Sequence, residues 1–335
     1  MVDHYREIQK GNFRKIDEII NFLNLDEKNK EKILKTPSFP FNLPRRLAEK
    51  IEKNNLDDPI LRQFIPLTDE KVKLPGYLPD PVDDLAFCKS GRLLQKYHGR
   101  ALLIATGACA MHCRYCFRQN FDYASDPSFQ KELNYLKNNP SIHEVILSGG
   151  DPLSLSNKRL GMLFDEISKI ESIKIIRIHT RFPIGIPERI DSGFLDLIKK
   201  CPLSIIFALH CNHPKELDEE IKRNMLDVKN AGALLINQSV LLKGINDDIE
   251  TLSALSFKLI EASILPYYLH QFDPIEGGSH FEVSIEKGLK LIEELRERLP
   301  GYAVPRYVQE IPHRKSKTPL TSDPLSSALR SQVPS

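Results

Sequence analysis

Three of the six cysteines of this chain fall close together, at Cys109, Cys113 and Cys116. Their spacing is C-x-x-x-C-x-x-C. Three thiolates so placed can hold three irons of a four-iron, four-sulfur cluster and leave the fourth iron open to a small molecule. Ferredoxin-type runs are spaced differently and bring a fourth cysteine. A structural zinc site also wants a fourth ligand, and His112, wedged between two of the cysteines, is awkwardly placed to be one. The alternative without chemistry is a helix that buries sulfur at i, i+4 and i+7. Cys88, Cys201 and Cys211 are scattered. A reducing compartment disfavours a disulfide framework, so the cluster reads as metal-binding or catalytic.

These residues need a scaffold, and the composition allows one. The chain has 335 residues, 41% hydrophobic and 27% charged, which suits one barrel-sized α/β domain with an extension. Lys+Arg number 47 and Asp+Glu 45, a balance of +2. That near-neutrality gives no bulk attraction to nucleic acid or to a membrane surface. No apolar run approaches the ~18 residues of a membrane span. The opening residues lack the apolar core of a secretory signal, so a cytoplasmic protein is expected.

Residues 1–95 read as a helical extension. Phe13, Ile16, Ile19, Ile20 and Leu23 recur at helical spacing, and prolines at 40, 44, 59, 66, 75, 79 and 81 break up the rest. From residue 100 short apolar runs alternate with amphipathic stretches. Strands are expected at 101–106, 144–147, 173–179, 203–210, 233–240 and 264–270. Helices are expected at 127–138, 156–170, 191–200, 215–231, 248–262 and 284–298. Six strand–helix repeats predict a parallel sheet. Polar residues gather where the strands end: Ser148, Gly149, Gly150 and Asp151; His179, Thr180 and Arg181; His210 and Asn212; Gln238 and Ser239; His270, Gln271 and Asp273. Barrel enzymes build their sites at those carboxyl ends.

Cys109, Cys113 and Cys116, with Tyr115 before the last cysteine, resemble the signature of radical S-adenosylmethionine (radical SAM) enzymes. Ser148-Gly149-Gly150-Asp151-Pro152 is similar to the stretch that those enzymes set against the methionine amino group. The resemblance implies a partial (βα)6 TIM-like barrel over 96–300, after the extension and before a C-terminal segment, 301–335. It also implies that a bound, reductively cleaved SAM supplies an adenosyl radical that removes a substrate hydrogen atom, chemistry that needs a closed, dry mouth.

Further segments, among them 96–100, 113–118, 210–214, 237–242 and 301–305, resemble the lysine 2,3-aminomutases. The nearest type is the shorter one that makes (R)-β-lysine for modification of elongation factor P. By that resemblance the cofactors are a [4Fe-4S] cluster, SAM and pyridoxal 5′-phosphate (PLP). Lys317, before Thr318-Pro319, would carry PLP. Lys96 and Arg100 would hold its phosphate, and Tyr97 would lie near its ring. Tyr115, His210 and Gln238 would contact the adenosine. Arg118 would bind the substrate carboxylate, and Asp273 and Glu310 the distal ammonium. Two carboxylates around one buried cation are sound electrostatics, and a guanidinium suits a carboxylate fork. By residue type alone Asp273 reads as a loop cap before Pro274, Glu310 as a surface charge, and Lys317 as part of a solvated basic tail. His179, His270 and Gln271 receive no role.

The implied partners are free lysine, a reductant protein such as flavodoxin or ferredoxin, and the lysyl-ligase of elongation factor P. An aminomutase for another cationic amino acid is the nearest rival, and an iron–sulfur or zinc structural protein a more distant one. Three departures from the family pattern stand out. Lysine stands at 96 where the pattern has arginine, glutamate at 310 where longer members have aspartate, and the glycine-rich loop before the PLP lysine is missing. No cysteines follow Lys317, so the zinc of the longer members is not expected.

Overall fold

A computed structural model describes residues 4–122 and 128–321. Ten strands form one sheet in sequence order. They are β1 (Cys88–Ser90), β2 (Leu93–Leu94), β3 (Arg100–Thr106), β4 (Glu144–Gly149), β5 (Ile175–Thr180), β6 (Ser204–Leu209), β7 (Leu234–Val240), β8 (Leu265–His270), β9 (Arg306–Gln309) and β10 (Thr318–Pro319). Pairing is parallel from β3 through β9 and antiparallel at both ends. This is the expected partial barrel with one parallel strand more. The extra strand, β9, was not legible because Arg306–Gln309 is only four residues long and flanked by proline.

Why the crossovers are helical is plain in their sequences. Leu160, Leu163, Phe164 and Ile167 are buried at helical spacing along Asn157–Ser168. Side chains of Ser156, Asp191, Asp218, Asp248 and Ser284 accept the orphan amides that begin the successive helices. Each cap follows a loop at the carboxyl end of a strand. Observed helices match the expected ones to within a few residues. The exceptions lie at 214–218, where a 3₁₀ turn, Pro214–Glu216, precedes the helix Glu219–Asn230, and at residue 127, which lies outside the described residues.

The N-terminal region does more than pack on the barrel. Helix Ile16–Leu23 buries Ile16, Ile19, Ile20 and Leu23 in a core continuous with β3 to β7. Behind it, polar groups grip the cysteine segment by its backbone. Asn12 Nδ2 and Asn42 Nδ2 both donate to the Ala110 carbonyl, at 2.8 and 3.0 Å. The His112 amide donates to Asn42 O, and the Arg114 amide to Gln63 O. Arg114 reaches Phe39 O at 2.7 Å and forks onto Glu70. The cysteine segment is therefore a loop braced from outside the barrel, which disposes of the sulfur-lined helix.

Candidate active site

The Ser148–Asp151 turn lies against the start of the cysteine loop. Gly150 N donates to Thr106 O at 2.7 Å, and Asp151 N to Ala108 O at 2.8 Å. Only glycine permits this approach. A Cβ on Gly150 would stand 2.4 Å from Ala108 O, and Gly149 has φ +112°. Since the obstructing atoms are backbone, Gly150→Ala is expected to destabilise the protein by ~1–3 kcal/mol and to loosen the cysteine loop. Thermal unfolding of that variant checks this; an unchanged midpoint would refute it.

Asp151 is fully committed to the scaffold. Its two oxygens accept from the Leu153, Arg181 and Phe182 amides and from the Thr180 hydroxyl. The carboxylate thus ties the end of β4 to the end of β5 and shapes the turn.

A single cavity of ≈ 380 Å³ opens at the carboxyl ends of the strands, within the size range of small-molecule sites. Every residue singled out above for metal, cofactor or substrate lines it: Cys109, Cys113, Cys116, Tyr115, Ser148, Gly149, Gly150, Asp151, His210, Gln238, Lys96, Tyr97, Arg100, Arg118, Asp273, Glu310 and Lys317. Antiparallel pairing of β10 on β9 is what carries Lys317 and Glu310 there. The two are joined, Lys317 Nζ to Glu310 Oε2 at 2.8 Å, and the Lys317 side chain is only 26% exposed. Lys315, two residues away, is exposed. The basic run is therefore not a uniformly solvated tail.

Burial opposes the charge of Glu310, but Lys317, Tyr97 and Lys96 outweigh it and hold the carboxyl below its usual range. Tyr97 donates its hydroxyl to Glu310 Oε1 at 2.5 Å, and burial followed by that carboxylate pushes the phenol upward. The Arg100 guanidinium lies 4.7 Å from the Tyr97 ring centre. Asp273 differs. Among the described residues no cation lies within ion-pair distance of it, and burial raises it to about 7.

At the cysteine side burial and the neighbouring cysteines disfavour ionisation of Cys109 and Cys116. Burial raises Cys109 well above the ordinary thiol value and Cys116 to about 11. Cys109 and Cys116 thus favour the thiol until a metal takes the protons' place. Among the described residues no three side chains converge as ligands of one metal ion; a four-iron cluster does not need that, because each thiolate takes a different iron. Arg181 donates to Cys113 Sγ at 2.9 Å, to Glu216 and Gln63, and to the Tyr115 hydroxyl. Tyr115 in turn meets His210 Nε2 at 2.8 Å. Deeper in, Gln238 bridges His179 and His270, at 3.2 and 3.3 Å. Burial drives His179 and His270 well down and His210 to about 3, so this floor is uncharged at neutral pH. Charge lies at the rim and at Arg181, which is ion-paired with Glu216 beside Cys113.

Residue typing alone missed Asp84, Gln63, Arg177, Glu216, Tyr267 and Tyr268. Arg181, His179 and His270, also without an assigned role, had a signal in their place at polar strand ends.

A three-thiol loop at the mouth of a partial barrel, with the other candidate residues around the same cavity, is the arrangement that the resemblance to radical SAM enzymes implies. A family model described as "4Fe-4S single cluster domain" matches residues 98–185. The L-lysine 2,3-aminomutase of Escherichia coli K12 is 40% identical over 91% of this chain and 90% of its own length. That of Haemophilus influenzae is 38% identical over 90% of each, and that of Clostridium subterminale 36% identical over 81% of this chain and 66% of its own. Among solved structures, a radical SAM methyltransferase from Sphaerobacter thermophilus aligns with TM-score 0.48 and 16% identity, covering 64% of this chain and 68% of that one. The chain belongs to the lysine 2,3-aminomutase family, and it is an isomerase.

Proposed function

We propose that this enzyme moves the α-amino group of L-lysine to the β-carbon and makes (R)-β-lysine for elongation factor P. One observation carries the reading: Lys317 and Glu310, brought in by the C-terminal strands, share a cavity with the three cysteines. The residues fit the three groups the family uses. Three half-buried thiols suit three irons, and the rim cations Lys96, Arg100 and Arg118 a phosphate and a carboxylate.

When bound, the cluster and SAM supply hydrogen-atom abstraction, and PLP lets nitrogen migrate between neighbouring carbons. The chain's own residues do the rest. Cys109, Cys113 and Cys116 hold the cluster. The Ser148–Gly150 backbone orients the methionine end, while Tyr115, His210 and Gln238 pack at the adenosine. Lys317 holds PLP, with Lys96 and Arg100 at its phosphate and Tyr97 beside its ring. Arg118 takes the lysine carboxylate, and Asp273 and Glu310 take the distal ammonium. The uncharged imidazoles of the floor put no histidine cation beside the radical at neutral pH.

Asp273 gives this reading a pH signature. Only its carboxylate attracts the substrate ammonium, and burial has set its ionisation near 7. The KM for lysine is expected to fall as pH rises between about 6 and 8, by up to tenfold per unit. Asp273→Asn should abolish that dependence and leave KM high throughout. A wild-type KM that is flat over this window would remove Asp273 from the ammonium site.

Incubating reconstituted protein anaerobically with lysine, SAM, PLP and dithionite, with products separated by chiral chromatography, tests the whole reaction. Accumulation of (R)-β-lysine is expected; no β-lysine would refute it. Ornithine and arginine belong in the same assay, because two carboxylates accept any distal cation. In the cell the reading calls for an electron from flavodoxin or ferredoxin, a cytoplasmic location, and delivery of the product to the elongation factor P lysyl-ligase. Among the described residues no helix is long and apolar enough to cross a membrane.

A further inference from the structure

The rim holds one buried acid to which neither the sequence nor the functional reading gives a task. Asp84 has a side chain only 2% exposed. Each of its oxygens takes a different cation: Oδ1 takes Lys96 Nζ at 2.8 Å, and Oδ2 takes Arg118 Nε at 2.7 Å. Burial works against its charge, but Arg118 and Lys96 prevail and hold the carboxyl below its ordinary value.

Local backbone explains why this aspartate, and not its neighbour, turns inward. Asp83 sits at φ +52° and pairs outward with His313 at 3.0 Å. The kink puts Asp84 on the buried side at the start of the 3₁₀ turn Leu85–Phe87. Phe87 then lies under Lys96 Nζ, 5.1 Å from its ring centre.

The consequence for Lys96 is geometric. An ammonium has three donors. One is directed to Val82 O at 2.5 Å and one to Asp84. Glu310 Oε1, at 3.9 Å, is beyond hydrogen-bond reach, so one donor is left for a ligand. A flexible lysine is thereby aimed as a guanidinium would be by its own planarity. Arg118 is fixed in the same way from two sides, by Asp84 at Nε and by Ser148 Oγ at Nη1, 3.2 Å away.

We propose that Asp84 is a positioning residue that holds the carboxylate-binding Arg118 and the phosphate-binding Lys96 at one fixed separation, and so sets the span between the two anionic ends of the bound cofactor–substrate pair. This rests on the aminomutase reading and deepens it. Asp84 touches neither ligand. Its charge also offsets the repulsion between these two largely buried cations before any anion arrives, which a neutral residue could not do.

The signature is a coupled loss from a single change. In reconstituted Asp84→Asn holoprotein, the KM for lysine and the Kd for PLP, read from the cofactor's visible absorbance, should both rise on the order of tenfold or more. Iron content and kcat at saturation should change less. Asp84→Glu keeps the charge but shifts the fork, and should raise both constants by a smaller factor. For comparison, Arg118→Lys should raise chiefly the lysine KM, and Lys96→Ala chiefly the PLP Kd. If Asp84→Asn does not fold, Asp84→Glu decides alone. A folded Asp84 variant in which either constant keeps its wild-type value overturns the assignment. Wild-type protein that takes up no PLP fails the aminomutase reading and Asp84 with it; wild-type protein that binds PLP no better than the Asp84 variants overturns Asp84 only.

Discussion

Lys317→Ala is expected to yield folded, iron-loaded protein that no longer traps PLP on borohydride reduction, with lysine turnover lowered at least ~10³-fold. The reason is placement. Among the cations of the run His313–Lys317, Lys317 lines the cavity while Lys315 is exposed. Its partner Glu310 is itself held by Tyr97. Lys317→Arg separates chemistry from packing, because it preserves a cation for Glu310 yet offers no amine for imine formation. It should be as inactive as the alanine variant while melting near the wild type. Peptide mapping of the reduced protein is the measurement, and label persisting elsewhere in Lys317→Ala would remove this lysine from the cofactor site.

Replacing any one of Cys109, Cys113 or Cys116 by alanine should lower bound iron on the order of tenfold or more and stop SAM cleavage. Cys88→Ser, Cys201→Ser and Cys211→Ala should retain iron. Cys88 is exposed, Cys201 half-buried away from the cavity, and Cys211 buried with its sulfur toward the His213 carbonyl. In the intact protein, addition of SAM should alter the electron paramagnetic resonance spectrum of the reduced cluster, because three thiolates leave one iron open. Iron retained by a single-cysteine variant at the wild-type level, or a spectrum indifferent to SAM, would mean that a further protein ligand completes the site. Arg181 makes the Cys113 variant distinctive, since its guanidinium loses the sulfur and keeps Glu216, Gln63 and Tyr115.

Much of this was readable in the chain before any folding. The alternation of short apolar runs with amphipathic stretches placed the crossover helices, because a helix packed on a sheet needs one buried stripe. The cysteine spacing and the glycine pair declared themselves through chemistry that few residue types can perform. Asp84, Gln63 and Glu216 did not. An acid or amide becomes part of a site only when a distant cation closes on it, and here those cations lie tens to more than a hundred positions away. The bracing of Ala110 by Asn12 and Asn42 was hidden for the same reason: side-chain-to-backbone bonds over such separations leave no periodicity in the chain.

Local order thus specified which groups could bind a metal, a phosphate or a cation, since that depends on side-chain chemistry and near neighbours. Tertiary packing settled which of them meet. The pairing of β10 on β9 turned a basic stretch with the look of a solvated tail into the wall of the cavity. Burial then left Asp273 near 7 and the three histidines of the floor neutral, because the cost of holding a charge is set by the surroundings that folding supplies and not by the residue that bears it.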